Sequence, residues 1–596
     1  MPYLPQLVEG EQARSVVDTF GGYNHNARIA EGEWYDNMNL TCDHAPMLAV
    51  RKPRSTVFDG VVSPQGIIAK DAAAWVDGPT LYIGGVPVSG LVLSVREEDC
   101  PKQLVSMGAY ICIFPDAAYV NTKDLSDCGM MGAAFSTPAG SQVTYVPCKA
   151  DGSAYDDVIV SDTEPTAPAN GALWMDTSTE PHVLKQYSES TGAWVEIVTT
   201  YVRIGAPGIG KAFSKYDGVT LSGISYDGDD VSVGAQLQQL NADCILHDVG
   251  DDYIAVVGVL DKAYTQTVGS VKVERSIPRM DYVCESNNRL WGCYYGMSEN
   301  GTLNEIYACK LGDFRNWHCF MGLSTDSYMV SVGTDGPFTG AIAHLGYPLF
   351  FKETCIHKVY GTYPANYQTQ VTTCRGVQRG SWRSLVVVNE TLFYRSRQDV
   401  CAYDGSLPVG VSAQLGVEDY YHSAIAGAYG SKYYISMMVG DERRMFVYDT
   451  ARGVWHRETP LPVVGFAALD DSLLALTNDS VVDMTGNAGT PSEVAVKWSA
   501  TSGLIGYEMI DQKYVSRFNF RIKPETLSNV RFEIQYDSDG MWHMLGAMRP
   551  RSTNAFILPI VPRRCDHFSI RLSGDGAVKI YSMSKIIEQG SDHAAW

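Results

Sequence analysis

From about Val57 the chain follows a repeating pattern: a short run of apolar and aromatic residues, a Gly, Asp or Asn turn, then another run. AWVDGPTLYIGG (74–85) is followed by LVSMGAYICIFPDAAYVNT (104–122). After an interruption come NNRLWGCYYG (287–296), GYPLFFKETCIHKVYG (346–361), ETLFYRSRQDVCAYDG (390–405), SKYYISMMVGDERRMFVYDTARGVWHRE (431–458) and FAALDDSLLALTNDSVVDM (466–484). Each reads as two or three antiparallel strands, and several close on an aromatic-Asp turn and a tryptophan, as in Tyr448-Asp449 with Trp455. Strand-only repetition at roughly 40–60 residues predicts a β-propeller, because one small sheet cannot bury both faces and radial stacking can. A run of unrelated β-sandwiches is the alternative.

The interruption, from about 151 to 266, contains TAPANGALWMDTSTEPHVLKQYSESTGAWVEI (166–197), a compact hairpin unit with Trp174 and Trp194 near its ends. SVGAQLQQLNAD (232–243) is one of few plausible helices and DDYIAVVGVL (251–260) a strand. The last hundred residues alternate polar and apolar positions over six to eight residues, as in SRFNFRIKP and VRFEIQYDSDGMWHML, the period of half-buried strands. The predicted fold class is all-β: a β-propeller (57–150 and 267–490), an inserted small β-rich region (151–266), a C-terminal β-sandwich of about eight strands (491–596), and an N-terminal segment (1–56) that is polar, glycine-punctuated and expected to pair outside itself.

Composition agrees with strands and tight turns: 35 Tyr, 11 Trp and 56 Gly among 596 residues, with 19% charged. The net charge of −21 argues against binding nucleic acid by phosphate neutralisation, which needs Lys and Arg clusters. The fourteen cysteines are scattered singly, with no C-x-x-C pair, and read as small buried hydrophobes. The opening MPYLPQLVEGEQARS lacks the basic flank and apolar core of a signal peptide. No apolar run approaches the roughly 18 residues of a membrane span. A protein that stays soluble in the cytoplasm where it is made is the expectation.

GAPGIGKA (205–212) lacks only one residue of a phosphate-binding loop: Gly205, Gly210 and Lys211 are in register, but Ala212 stands where a hydroxyl must hold magnesium. The downstream FSKYDGVTLSGISYDG has no helical period, so the glycines read as turn residues between strands. YDSDGMWHML (536–545) faintly resembles an Asp-box, yet occurs once and reads as a hairpin turn at Asp537, Asp539 and Gly540. No H-E-x-x-H or G-x-S-x-G is present. The turns YDGDDVS (226–232) and DVGDDY (248–253) lack the ligand order of a calcium loop and read as solvated turns. No catalytic, cofactor-binding or metal-binding residue is predicted.

The stretch FGGYNHNARIAEGEWYDNMNLTCDHAPMLAVRKPR (20–54) resembles the N-terminal segment of bacteriophage virion proteins, through Phe20, Gly21, Asn24, Gly32, Glu33, Asp36, Asn39, Pro46 and Arg51. NNRLWGC…NEIYACKLGDFRNW (287–317) and FFKETCIHKVYGTYP (350–364) look like the propeller of phage tail nozzle proteins, also called tail tubular protein B or stabilisation proteins. NETLFYRSRQDVCAYDGSLP (389–408) is similar to a blade of that family, and GALWMDTS…TGAW (171–194) resembles a small module of phage tail and fibre proteins. The inserted 151–266 region matches no known nozzle domain.

What the resemblance implies is a structural virion protein without enzymatic activity, assembled in the host cytoplasm into the tail. Nozzle proteins form a homo-oligomeric sixfold ring below the adaptor, or head–tail connector, next to tail fibre or tip proteins, and enclose the channel through which DNA leaves. An acidic lumen would keep DNA from sticking, within a Debye length of about 8–10 Å. Phe20, Asn24, Glu33, Asp36, Asn39 and Arg51 are then expected in intersubunit contacts, together with the terminal sandwich. Two other readings stay open: a tail-tip or baseplate ring protein of a long-tailed phage, and a glycan-binding or depolymerising spike in which Trp174 and Trp194 stack on sugar rings. For those two tryptophans, filling the core of their own module is the competing role.

Overall fold

The computed structural model describes residues 12–96, 101–298, 301–507, 509–524, 528–549 and 554–590; MPYLPQLVEGE, most of the stretch tested above for a signal peptide, lies outside them. The fold is almost entirely β, with one α-helix, α1 (Val231–Gln239), among the described residues. No helix among those residues is long and apolar enough to cross a membrane.

Seven small antiparallel sheets follow one another along the chain. The first runs from Pro64–Ala69 to Val86–Pro87, the second from Gln103–Met107 to Asp124–Met130, and the third from Tyr282–Ser286 to Tyr328–Ser331. The fourth spans Gly340–His344 to Gln368–Thr373, the fifth Val386–Val388 to Val409–Gly410, and the sixth His422–Tyr429 to Val454–Glu458. The seventh, of five strands, takes Gly465–Leu469, Ser472–Leu476 and Ser480–Asp483 in order, with Thr490–Pro491 at its far edge. Its fourth is β5 (Ser55–Asp59) from near the N-terminus, paired through Val481 with Phe58 and Val482 with Thr56. The second strand of each sheet is close to continuously buried, as in Tyr347–Lys352 and Ser472–Leu476. A strand reads as an unbroken apolar run when both faces of its sheet are covered, and here neighbouring sheets share apolar clusters, for example Phe350 with Trp291. Two-residue turns at Asn287-Asn288 and Leu345-Gly346, all four with positive φ, connect the first two strands of the third and fourth sheets. That is the turn geometry whose twist matches a hairpin.

The first strands touch one another in order around the set, with a short 3-10 turn, Trp382–Ser384, mediating between the fourth and fifth sheets, and the seventh returning to the first. Together they line one cavity of about 500 Å³.

A separate two-sheet body is built from both ends of the chain. A six-stranded sheet takes β1 (Gln12–Val17), β3 (Leu40–Thr41) and β4 (Leu48–Val50) together with Lys513–Pro524, Asn554–Leu558 and Val578–Gln589. A five-stranded sheet takes β2 (Trp34–Met38) with Lys497–Ser502, Asn529–Tyr536, His543–Met548 and Phe568–Asp575. The two share one core, in which Trp34 and Leu48 meet Phe518, Phe520, Phe532 and Ile570. Burial alternates along Asn529–Tyr536, as the sequence period predicts. The N-terminal segment, expected to pair outside itself, supplies four of the body's strands; its partners lie about five hundred residues away, where no local pattern reveals them.

The inserted region is wider than 151–266. Ala133–Ser136 pairs with Lys272–Arg275, so an eight-stranded sheet begins directly after the second small sheet, and these flanking strands resemble the surrounding ones too closely to mark a boundary. It carries α1, capped by Asp230, and the hairpin unit as a separate four-stranded sheet (158–196). Residues 133–275 hold eight Lys and Arg against nineteen Asp and Glu, a net −11 of the chain's −21, whereas residues 491–596 hold thirteen against eleven.

His357 in the fourth sheet and His456 in the sixth are buried. Burial, then Lys352 or Lys432 respectively, pushes each imidazole down to about 4. Both stay neutral in the fold but take a proton in the unfolded chain between about pH 6.5 and 4. Stability should therefore fall with falling pH across that window, by ~1.4 kcal/mol per pH unit per histidine. Thermal melts between pH 7 and 5 should show a decreasing Tm, and a flat Tm would contradict this.

Candidate functional site

The central cavity is walled by backbone and apolar side chains of the seven first strands, among them Ile67, Leu104, Ile342 and Val464. Two cations reach its lining, and both are engaged. Lys102 forms a buried ion pair with Asp116 and donates to Ser94 Oγ at 3.1 Å; Arg383 Nη1 donates to the Val464 carbonyl at 2.7 Å. No carboxylate belongs to the described lining of this cavity.

The segment singled out by resemblance forms a seam between the two-sheet body and the sixth and seventh small sheets. Phe20 stacks on Trp34, with centroids 6.2 Å apart. Asn24 Nδ2 donates to Glu33 Oε2 at 2.9 Å, and Asp36 pairs with Arg457 at 3.0 Å. Asn39 sits at φ 60°, a left-handed conformation that asparagine tolerates. Its backbone N–H donates to Arg457 O at 2.8 Å, its Oδ1 accepts from Thr459 N at 2.9 Å, and its Nδ2 donates to Thr459 Oγ1 and Lys497 O, each at 2.7 Å. Gly22 lies so close to the sixth sheet that a Cβ there would stand 2.2 Å from the Trp455 carbonyl. All six residues expected in intersubunit contacts thus have partners within their own chain, and Asn39 and Arg51 are buried.

Arg51 anchors the seam. It forks onto Glu493 at 2.7 and 2.8 Å and lies 3.7 Å from Glu458, which pairs with Arg54 at 2.8 Å. Both arginines are at most 6% exposed. Burial raises the Glu493 pKa, but the bond and charge of Arg51 and the Arg54 N–H outweigh it and hold the carboxyl below its ordinary value. Arg54, Glu458 and Glu493 carried no signal of their own in the sequence, since the pairs span some four hundred residues.

Trp174 is buried, donates Nε1 to Ser161 O at 3.0 Å, meets Trp194 edge to face at 5.4 Å and lies beneath Lys185 at 4.8 Å. Trp194 is half-buried and also packs on Tyr187, so the two indoles pack on each other outside the apolar cluster of Leu173, Met175 and Leu184. The phosphate-loop lookalike follows an antiparallel strand, Tyr201–Gly205, and opens no helix. A Cβ on Gly210 would meet the Gly250 carbonyl at 2.0 Å; tight packing accounts for that glycine. Asp537 and Ser538, both with positive φ, turn a hairpin. Asp230 caps α1 and Asp248 accepts from Tyr253 Oη at 2.7 Å. Among the described residues no cluster of three or more His, Cys, Asp or Glu could hold a metal ion. The thirteen described cysteines are free thiols, ten of them buried.

No family model matches the chain, and no curated protein matches it. Among solved structures, an exo-β-1,3-galactanase from Phanerochaete chrysosporium aligns at 9% identity and a TM-score of 0.20, over 50% of this chain and 95% of its own. A second glycoside hydrolase aligns at 11% identity and 0.19, over 50% and 96%. The extracellular domain of a two-component system protein from B. thetaiotaomicron aligns at 8% and 0.16, over 86% and 98%. Similarity at this level carries no argument about function.

Removing one member of a buried ionic cluster leaves a charge uncompensated. Glu458→Ala should cost ~3–5 kcal/mol, read as a lower urea midpoint. Glu493→Gln should flatten acid destabilisation, because the depressed Glu493 contributes stability in full above about pH 4.5 and loses it as pH falls below that value through its folded pKa. An unchanged acid limb in this variant would show that the fork is not stabilising.

Proposed function

We propose that the seven small sheets are the blades of a β-propeller closed by β5, that the two-sheet body is a β-sandwich, and that the protein is a structural component of a phage tail, a nozzle whose subunits ring the DNA exit channel. The observation that carries the reading is the division of labour along the chain. Both termini interlock into one rigid two-sheet body, and everything between, the seven sheets and the acidic insertion, is presented from it as a single large excursion. That arrangement suits a ring subunit whose body makes the contacts and whose propeller projects outward. It agrees with the order of segments by which the sequence resembles nozzle proteins.

A structural role is also supported by a central cavity whose described lining has no carboxylate and whose cations are already paired or bonded. Since the six N-terminal residues are used within the chain, the ring contact falls to the body's free edges. His543–Met548 and Asn554–Leu558 each end a sheet and expose Met544 and Ile557. Repeating such an edge against a different face of the next copy generates a closed ring. Charge favours this mode: the C-terminal hundred residues are net positive and the insertion is strongly acidic, so unlike surfaces attract and like ones repel.

Deleting the N-terminal segment cannot test this, because it would remove four strands of the body. Mass photometry and negative-stain imaging of the intact protein, alone and with the phage's adaptor ring, are expected to give rings of about six subunits or monomers that ring only on the adaptor. Ile557→Asp should abolish them while leaving the melting temperature within a degree or two. A trimer, or a monomer indifferent to the adaptor, would sink the nozzle reading.

A further inference from the structure

We propose that one mouth of the central cavity is a binding site for a carboxylate-bearing saccharide, an assignment that does not depend on the ring. A pocket of about 460 Å³ adjoins the cavity and shares Gln103, Tyr282, Trp382 and Arg383 with it. This volume lies within the roughly 300–1,000 Å³ of small-ligand sites. Among the described residues three arginines line it, Arg96, Arg379 and Arg383, the last also donating to the Val464 carbonyl, against one acidic residue, Asp281, which accepts the Tyr295 N–H at 2.9 Å. A concave pocket lined by arginines concentrates anions.

A second feature deepens the positive potential. Lys352 is 2% exposed and lies behind the pocket wall, 5.3 and 4.7 Å from the ring centroids of Tyr295 and Phe338, both of which line the mouth. Its Nζ donates to Asn304 Oδ1 at 2.9 Å and Thr334 O at 2.7 Å, both neutral acceptors. A buried ammonium without an ion pair costs free energy, and an anion in the adjoining pocket would offset part of that cost.

The chemistry of the wall selects among anions. Guanidinium groups fork onto planar carboxylates. Arg379 is exposed, while its backbone N–H donates to Glu353 Oε1 at 3.1 Å, which holds that residue in place. The Tyr282 and Trp382 rings stand 6.2 Å apart and tilted, offering apolar faces to the C–H face of a sugar. A free phosphate would use the arginines and leave the aromatic wall idle.

The test is isothermal titration of the full chain at low salt with a sialylated trisaccharide, an oligogalacturonate, lactose and inorganic phosphate. At least one acidic saccharide should bind about tenfold or more tightly than lactose and phosphate, weaken with added salt, and lose about tenfold in affinity in Arg379→Ala. Because Arg379 is exposed, that variant should melt with the wild type, and Trp382→Ala should weaken the saccharide more than it weakens phosphate. Acidic saccharides that bind no better than lactose, or binding untouched by Arg379→Ala, would overturn the site. Phosphate binding as tightly as the saccharides would overturn the saccharide assignment.

Discussion

The pairing of β5 with Ser480–Asp483 is the constraint on which the rest of the fold depends. It completes the seventh small sheet with a strand from the start of the chain, and so fixes where the chain enters and leaves the ring of sheets. Closing a loop of more than four hundred residues costs only a logarithm of its length. A few backbone hydrogen bonds and the packing of Phe58 on Trp75, with centroids 4.7 Å apart, therefore suffice to hold it. Without this pairing the seventh sheet would present an open edge at Ser480–Asp483, and edges of that kind invite pairing with other chains. On the N-terminal side of β5, β1 to β4 pair within the body formed by the strands that follow residue 497.

Much of this was legible in the sequence. The seven apolar, turn-punctuated segments are sheets where the pattern places them, because a strand covered on both faces needs an unbroken apolar run. The alternating C-terminal strands are half-buried, because each faces one shared core. The stretch read as a plausible helix from 232 contains α1, which ends at Gln239 and is capped by Asp230. The glycines of GAPGIGKA proved uninformative about phosphate, as the missing hydroxyl and missing helical period had indicated; Gly210 is required by the approach of the Gly250 carbonyl.

What escaped the sequence was partnership at long range. Trp34 and Leu48 carry no mark saying that they pack on Phe520 and Ile570, and Arg51 none saying that it forks onto Glu493. The edges of the insertion were hidden for a related reason. Ala133–Ser136 has the same short β character as the strands before it, and only its pairing with Lys272–Arg275 assigns it elsewhere. Charge segregation, by contrast, is written in the sequence but becomes informative only once the insertion's limits are known.

The seam between ring and body explains why so much charge is buried there. An apolar seam would accept a range of angles between the two parts, since burial is proportional to area and indifferent to direction. The Arg51–Glu493 fork, the Arg54–Glu458 pair and the hydrogen bonds of Asn39 are satisfied in one orientation only, because guanidinium and amide geometry is directional and an unpaired buried charge is costly. Gly22 permits the required contact by letting the backbone approach the Trp455 carbonyl without a side chain between. That directional specification fixes one angle between the two-sheet body and the small sheets, which further apolar burial alone would not do.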